Sequence, residues 1–137
     1  MLYETKVSYK TRNDDGKDVL KKESYIVCDC VAFAQAEEKT YEAFNYDTFK
    51  DVDVTDIKRS RIKEIANVRK ENTDKVFMAE IQDVFIDDNG DEKQIKYKIA
   101  FFAKDIDKAM SFITQYIKQG YDMVLVSLKE TKFISVF

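Results

Sequence analysis

Tyr3, Thr5, Val7 and Tyr9 alternate with Glu4, Lys6, Ser8 and Lys10, the period-two pattern of a strand with one buried and one wet face. Asp14, Asp15 and Gly16 follow, and an Asp-Gly pair supplies the positive φ angles of a tight hairpin turn, which predicts a return strand through 24–28. Phe33, Ala36, Thr40, Ala43 and Phe44 then recur at the i, i+3, i+4, i+7 spacing of an amphipathic helix. An extended stretch over 52–65 completes the half. The same succession returns: a strand leading to Asp88, Asn89 and Gly90, a second strand over 95–102, a helix on Ile106, Ala109, Met110, Ile113 and Ile117, and a final stretch over 123–137. Asp105 is placed to cap the second helix, Gly120 marks its end, and Asn45 stands in the matching place of the first.

The two halves align residue on residue. Gly90 lies 74 positions after Gly16, and at that offset Tyr3 falls on Phe77, Thr5 on Ala79 and Val7 on Ile81. At offset 73, Phe33 meets Ile106, Ala36 meets Ala109, Thr40 meets Ile113 and Phe44 meets Ile117; at offset 72, Val52 meets Val124, Val54 meets Val126, Ile62 meets Ile134 and Ile65 meets Phe137. A period near 73 is too long for a solenoid unit and indicates an internal duplication. The expected fold is therefore α+β: tandem duplicated ββαβ(β) units forming antiparallel sheet with two amphipathic helices around a pseudo-twofold. The expected organisation is one domain, 1–137, with repeat one over 1–65, a polar linker over 66–75 and repeat two over 76–137.

Composition narrows the chemistry. The 137 residues carry 23 Lys or Arg against 26 Asp or Glu, a net charge of −3, so only a local patch could meet a polyanion. A 45% hydrophobic content including ten Phe and eight Tyr supplies a core. There is no His, which removes imidazole bases, Ser-His-Asp triads and His-containing zinc sites. Three glycines and no proline leave no phosphate loop and no dinucleotide fingerprint. The longest uncharged apolar run, 123–128, is far short of the roughly 20 residues of a membrane helix. Residues 1–6 alternate at once and contain no apolar signal core. Cys28 and Cys30 lie too close along a strand for a relaxed disulfide and read as reduced thiols in or near the core.

The acidic turn at 87–92 suggests a calcium loop, but with Gly90 at its sixth position Phe85 and Lys96 occupy the first and twelfth, where carboxylates are needed. No carboxylate pair is marked for acid–base work, so an enzyme, a metal and a cofactor are not expected. The remaining feature is the run Lys58, Arg59, Ser60, Arg61, Ile62, Lys63: four cations in six residues without an acid, against Glu130, Thr131, Lys132, Phe133, Ile134 and Ser135 in the second copy. In an extended ribbon with Ile62 inward, Arg59, Arg61 and Lys63 project together at about 6.6 Å spacing, suited to a sugar-phosphate backbone. Lys6, Lys10, Arg12 and Lys21 extend the patch on the first hairpin, and Tyr9 and Tyr25 are the candidates for stacking on bases. A solvated strand face balanced by acids, with both tyrosines in the core, is the alternative.

The duplicated ββαβ layout with paired Asp-Gly and Asn-Gly hairpins resembles an uncharacterised family of small proteins of Bacteroidota and their gut phages, over the whole chain. Taken cyclically, two helices separated by four strands also resemble the Whirly-type single-stranded DNA-binding fold, although the Lys-Gly-Lys-Ala-type motif of those proteins is absent. The resemblance implies a phage or bacterial cytoplasmic protein, in the host cytoplasm if phage-encoded, that binds single-stranded nucleic acid and forms homo-oligomers. The expected function is thus sequence-independent binding of single-stranded DNA or RNA without catalysis, a small-molecule substrate or a membrane. The rival expectation is an assembly or adaptor protein, or a phage structural protein, without nucleic-acid binding, whose sheet edges and aromatic surface bind protein; the apolar end of the chain and two copies able to pair edge to edge motivate it.

Overall fold

The computed structural model describes residues 1–120 and 122–137. Ten elements follow in chain order: β1 (Tyr3–Arg12), β2 (Asp18–Val27), α1 (Phe33–Ala43), β3 (Lys50–Arg59), β4 (Ile62–Ile65), β5 (Lys75–Ile86), β6 (Glu92–Ala103), α2 (Ile106–Ile117), β7 (Met123–Glu130) and β8 (Phe133–Val136). The fold is α+β, and the ββαββ order occurs twice, with each final extended stretch split into a long and a short strand. Two compact units result, Met1–Arg61 with Lys132–Phe137, and Ile62–Thr131.

The short strands are exchanged between the halves. In the first unit the sheet runs β3-β1-β2-β8, so its fourth strand comes from the C-terminus; in the second it runs β4-β6-β5-β7, so its fourth strand comes from the N-terminal half. β8 lies parallel to β2 and β4 parallel to β6, while the remaining pairs are antiparallel. Both sheets are therefore mixed rather than wholly antiparallel. Four-residue strands carry too little pattern to name a partner; a chain that arrives from the other half joins the free edge beside β2 or β6. Residues 66–75, read from sequence as a linker, belong to the second unit. There Asn67 clamps Phe102, accepting from its backbone N at 2.6 Å and donating to its carbonyl at 2.9 Å.

Duplication extends to irregularities. The first unit breaks register between Lys6 and Val7 against β3, the second between Glu80 and Ile81 against β7, at equivalent places 74 residues apart. At the ends of these strands Ser60 N donates to the Leu2 carbonyl and Thr131 N to that of Val76, both at 2.9 Å. Gly16 and Gly90 adopt φ of +76° and +82° in the two hairpin turns, where a side chain would be strained. Gly120 has another reason: a Cβ there would lie 2.6 Å from Met123 Cγ.

Each helix covers one sheet face. Beneath α2 lie Phe77, Ala79, Ile81, Ile99 and Phe101 with Ala109 and Ile113 of the helix, all at most 1% exposed; Phe101 stacks on Phe112 at 4.6 Å. Beneath α1 the equivalent layer is Tyr3, Val7, Tyr9, Tyr25, Val27, Ala36 and Phe44. The first core contains a fully buried threonine pair: Thr40 Oγ1 lies 2.8 Å from the Ala36 carbonyl and 3.2 Å from Thr5 Oγ1. Asp105 caps α2 as its position suggested, accepting from Lys108 N at 2.9 Å. α1 starts at Ala32 without a side-chain cap, and Gln35 instead accepts from Val31 N at 2.8 Å. No described helix is long and apolar enough to cross a membrane.

Candidate interaction surfaces

Strand register sorts the predicted nucleic-acid residues onto opposite faces. Residues directly opposite in an antiparallel pair share a face. Tyr9 is opposite Lys21 and Tyr3 is opposite Arg59, so Tyr9, Tyr25, Lys21 and Arg59 lie on the α1 side; Lys6, Lys10, Arg12 and Lys58 lie on the other. The cationic run is not one ribbon either. β3 ends at Arg59 and β4 begins at Ile62, so Lys63 belongs to a different sheet from Lys58 and Arg59, and Arg61 lies between the two strands.

The stacking tyrosines are core residues, 6% and 5% exposed. Tyr9 contacts the rings of Phe44 and Phe49 at 5.1 Å, and Phe137 covers a face of Tyr25 at 4.5 Å. Both hydroxyls donate to Glu23, Tyr25 at 3.0 Å and Tyr9 through a shorter bond. Burial, reinforced by the Glu23 carboxylate, holds the Tyr9 phenol far above the ordinary tyrosine range. The alternation of β1 already assigns this position: Tyr9 shares parity with Tyr3, Thr5 and Val7, not with Lys6 and Lys10.

Acids interleave with the cations. Lys58 Nζ lies 3.8 Å from Glu4 and Lys10 Nζ 3.5 Å from Asp51; Lys6 is opposite Asp56 and Arg12 opposite Asp18. Lys63 Nζ sits 4.4 Å from the centroid of Tyr97, a cation–π contact. Lys6, Arg12, Lys21, Arg59 and Arg61 are exposed and make no ion pair among the described residues.

Among the described residues no group of three or more His, Cys, Asp and Glu is placed to hold a metal ion. Asp87 uses its carboxylate to accept from Asn89 N at 3.0 Å and Asp91 N at 2.9 Å, closing the hairpin turn. Cys28 and Cys30 are free, and Cys30 is buried. Burial and then Asp29 push the Cys28 thiol up, away from the reactive thiolate.

Two surfaces emerge where the copies differ, the first of them a particular case of the sheet edges in the rival expectation. The first is the edge of β7, which among the described residues pairs with β5 alone. Its first six residues, 123–128, carry no charge, and Val124 and Val126 are 57% and 45% exposed. Its counterpart β3 carries Lys50, Asp51, Asp53, Asp56, Lys58 and Arg59. The second is an open groove of about 740 Å³ at the C-terminal end of α1, lined by Glu38, Tyr41, Glu42, Tyr46, Asp47 and Phe49 among others. Direct comparison of aligned residues was the available signal for both.

No curated protein and no solved structure matches the chain. A family model described as Domain of unknown function (DUF4494) matches residues 1–137, and the chain, over its whole length, belongs to that family.

Proposed function

We propose that this protein is a non-enzymatic interaction module that assembles with a second copy of itself through β7. The observation that carries the reading is the unguarded edge of that strand. Edge strands present unpaired backbone N–H and C=O groups, and proteins that remain monomeric blunt them with charge, bulges or shortness. β4 and β8 are four residues long and β3 is charged throughout; β7 has one irregularity but no charge before Lys129. An antiparallel β7–β7 contact would be isologous, satisfying both edges and covering Val124 and Val126 on each side. Light scattering coupled to gel filtration tests it: the wild type runs as a concentration-dependent dimer, and Val124→Lys/Val126→Lys runs as a monomer with unchanged circular dichroism. A monomeric wild type at high micromolar concentration removes the proposal.

Binding of single-stranded nucleic acid is the second reading, favoured by Lys6, Arg12, Lys21, Arg59 and Arg61, which are exposed and make no ion pair among the described residues. Each phosphate neutralised gives a log–log salt slope of about −0.7 on a single strand. Fluorescence anisotropy with labelled oligothymidine at low and moderate salt, comparing wild type with Arg59→Glu/Arg61→Glu/Lys63→Glu, tests it. Undetectable binding by the wild type removes this function, and equal binding by the triple variant removes this site.

A further inference from the structure

The groove beside α1 is built from three stretches: the last turns of the helix (Glu38, Tyr41, Glu42), the connection to β3 (Phe44, Asn45, Tyr46, Asp47, Phe49) and Val52 of β3. Phe44 and Phe49 form its floor, with ring centroids 5.0 Å apart, and belong to the core beneath the helix. Tyr46 stands over that floor, 68% exposed, with its ring 6.3 Å from Phe49. Tyr41 is held in place because its hydroxyl accepts from Val54 N at 3.1 Å, leaving the residue 37% exposed. Glu38, Glu42 and Asp47 surround these rings and make no ion pair among the described residues.

Three independent features favour positive charge there. The carboxylates supply a local charge of −3. Aromatic faces attract ammonium and guanidinium groups. The helix itself ends at the groove with no basic residue in its last turn, so the partial negative charge of its carbonyl end is uncompensated.

The second copy serves as an internal control. At offset 73 the same positions are Ser111, Thr114, Gln115, Gln119 and Gly120 in place of Glu38, Tyr41, Glu42, Tyr46 and Asp47. One half of the chain therefore makes the same ββαβ arrangement without a single one of these carboxylates or phenol rings. Folding does not require them, whereas recognition of a cation would.

We propose that this groove binds a basic segment of a partner protein, seating a lysine or arginine side chain against Tyr41 and Tyr46 with Glu38, Glu42 and Asp47 as counter-charges. An open trough that leaves its acids in water suits a side chain on an extended peptide, whose neighbouring residues lie along the remaining volume. The proposal does not depend on β7, since every residue it uses lies in the first unit and none belongs to that strand.

The test is titration of a fluorescein-labelled hexalysine peptide into the full-length protein, read by anisotropy and by amide chemical shifts. Shifts confined to residues of 38–52, with affinity falling at least tenfold in Glu38→Gln/Glu42→Gln/Asp47→Asn and two- to fivefold in Tyr46→Ala, support the site. The charge control is Asp14→Asn/Asp15→Asn/Asp18→Asn, which changes net charge equally on the first hairpin and is expected to bind within twofold of wild type. Equal losses in both triple variants, or shifts spread over the acidic surface, overturn it as general attraction. Spermidine competing as well as unlabelled hexalysine overturns the peptide assignment in favour of a free polyamine. Val124→Lys/Val126→Lys binds the peptide as wild type does, so loss of assembly and loss of the groove are read separately.

Discussion

The buried hydroxyl pair of the first core has a built-in reference. Thr5 and Thr40 are 1% and 0% exposed with Oγ1 atoms 3.2 Å apart, and the same positions in the second core are Ala79 and Ile113, both fully buried. Thr40→Ile removes the hydrogen-bond partner that the Thr5 hydroxyl has among the described residues and adds volume beside it. An unsatisfied buried hydroxyl costs about 1–3 kcal/mol, and one surplus methyl group in a packed core adds about 1 kcal/mol or more. Thr5→Ala leaves Thr40 its bond to the Ala36 carbonyl and loses only a few contacts, about 1 kcal/mol. Thr5→Ala/Thr40→Ile reproduces the second copy's solution: no hydroxyl remains to satisfy, and the smaller alanine makes room for the isoleucine. Urea unfolding followed by circular dichroism should therefore give a double variant at least about 1 kcal/mol more stable than the sum of the single losses. Additive losses would refute the claim that the two cores are alternative packings of one repeat.

Three further outcomes follow from the same geometry. Tyr9 and Tyr116 are held protonated, Tyr116 by burial and then by its 2.5 Å bond to Glu64. Raised above the ordinary value near 10, each contributes stability that is complete below pH 10 and lost as pH rises beyond it, at up to about 1.4 kcal/mol per pH unit; urea midpoints between pH 9 and 11 should fall, and Tyr9→Phe/Tyr116→Phe should flatten that fall. Gly16→Ala and Gly90→Ala meet no steric contact within 4 Å, so thermal melts should show only the left-handed backbone cost of about 1 kcal/mol each. Phe101→Ala, which empties the space between Phe77 and Phe112, should cost about 3–5 kcal/mol by urea unfolding.

Most of the fold was legible because the repeat states it twice. The alternation of β1, the paired Asp-Gly and Asn-Gly turns and the helical spacing of Phe33 to Phe44 and Ile106 to Ile117 each found their element. The strand exchange was hidden because Ile62–Ile65 and Phe133–Val136 are too short for periodicity to fix a partner, and pairing across more than 30 residues is set by the free edge waiting for them. The arrangement of the cationic run was hidden for a related reason. Charge density along the chain ignores the break between β3 and β4, and it ignores the opposing strand, where Glu4 meets Lys58 and Asp56 meets Lys6. What chain density concealed, comparison between copies exposed: Glu38, Glu42 and Asp47 against Ser111, Gln115 and Gly120, and a charged β3 against an uncharged β7.

Self-association through β7 is tested most directly by sedimentation equilibrium of the wild type beside Val124→Lys/Val126→Lys. A wild type with twice the 16.1 kDa chain mass and a variant at the single mass is the result the account requires. Two identical monomer masses, or two identical dimer masses, would contradict it.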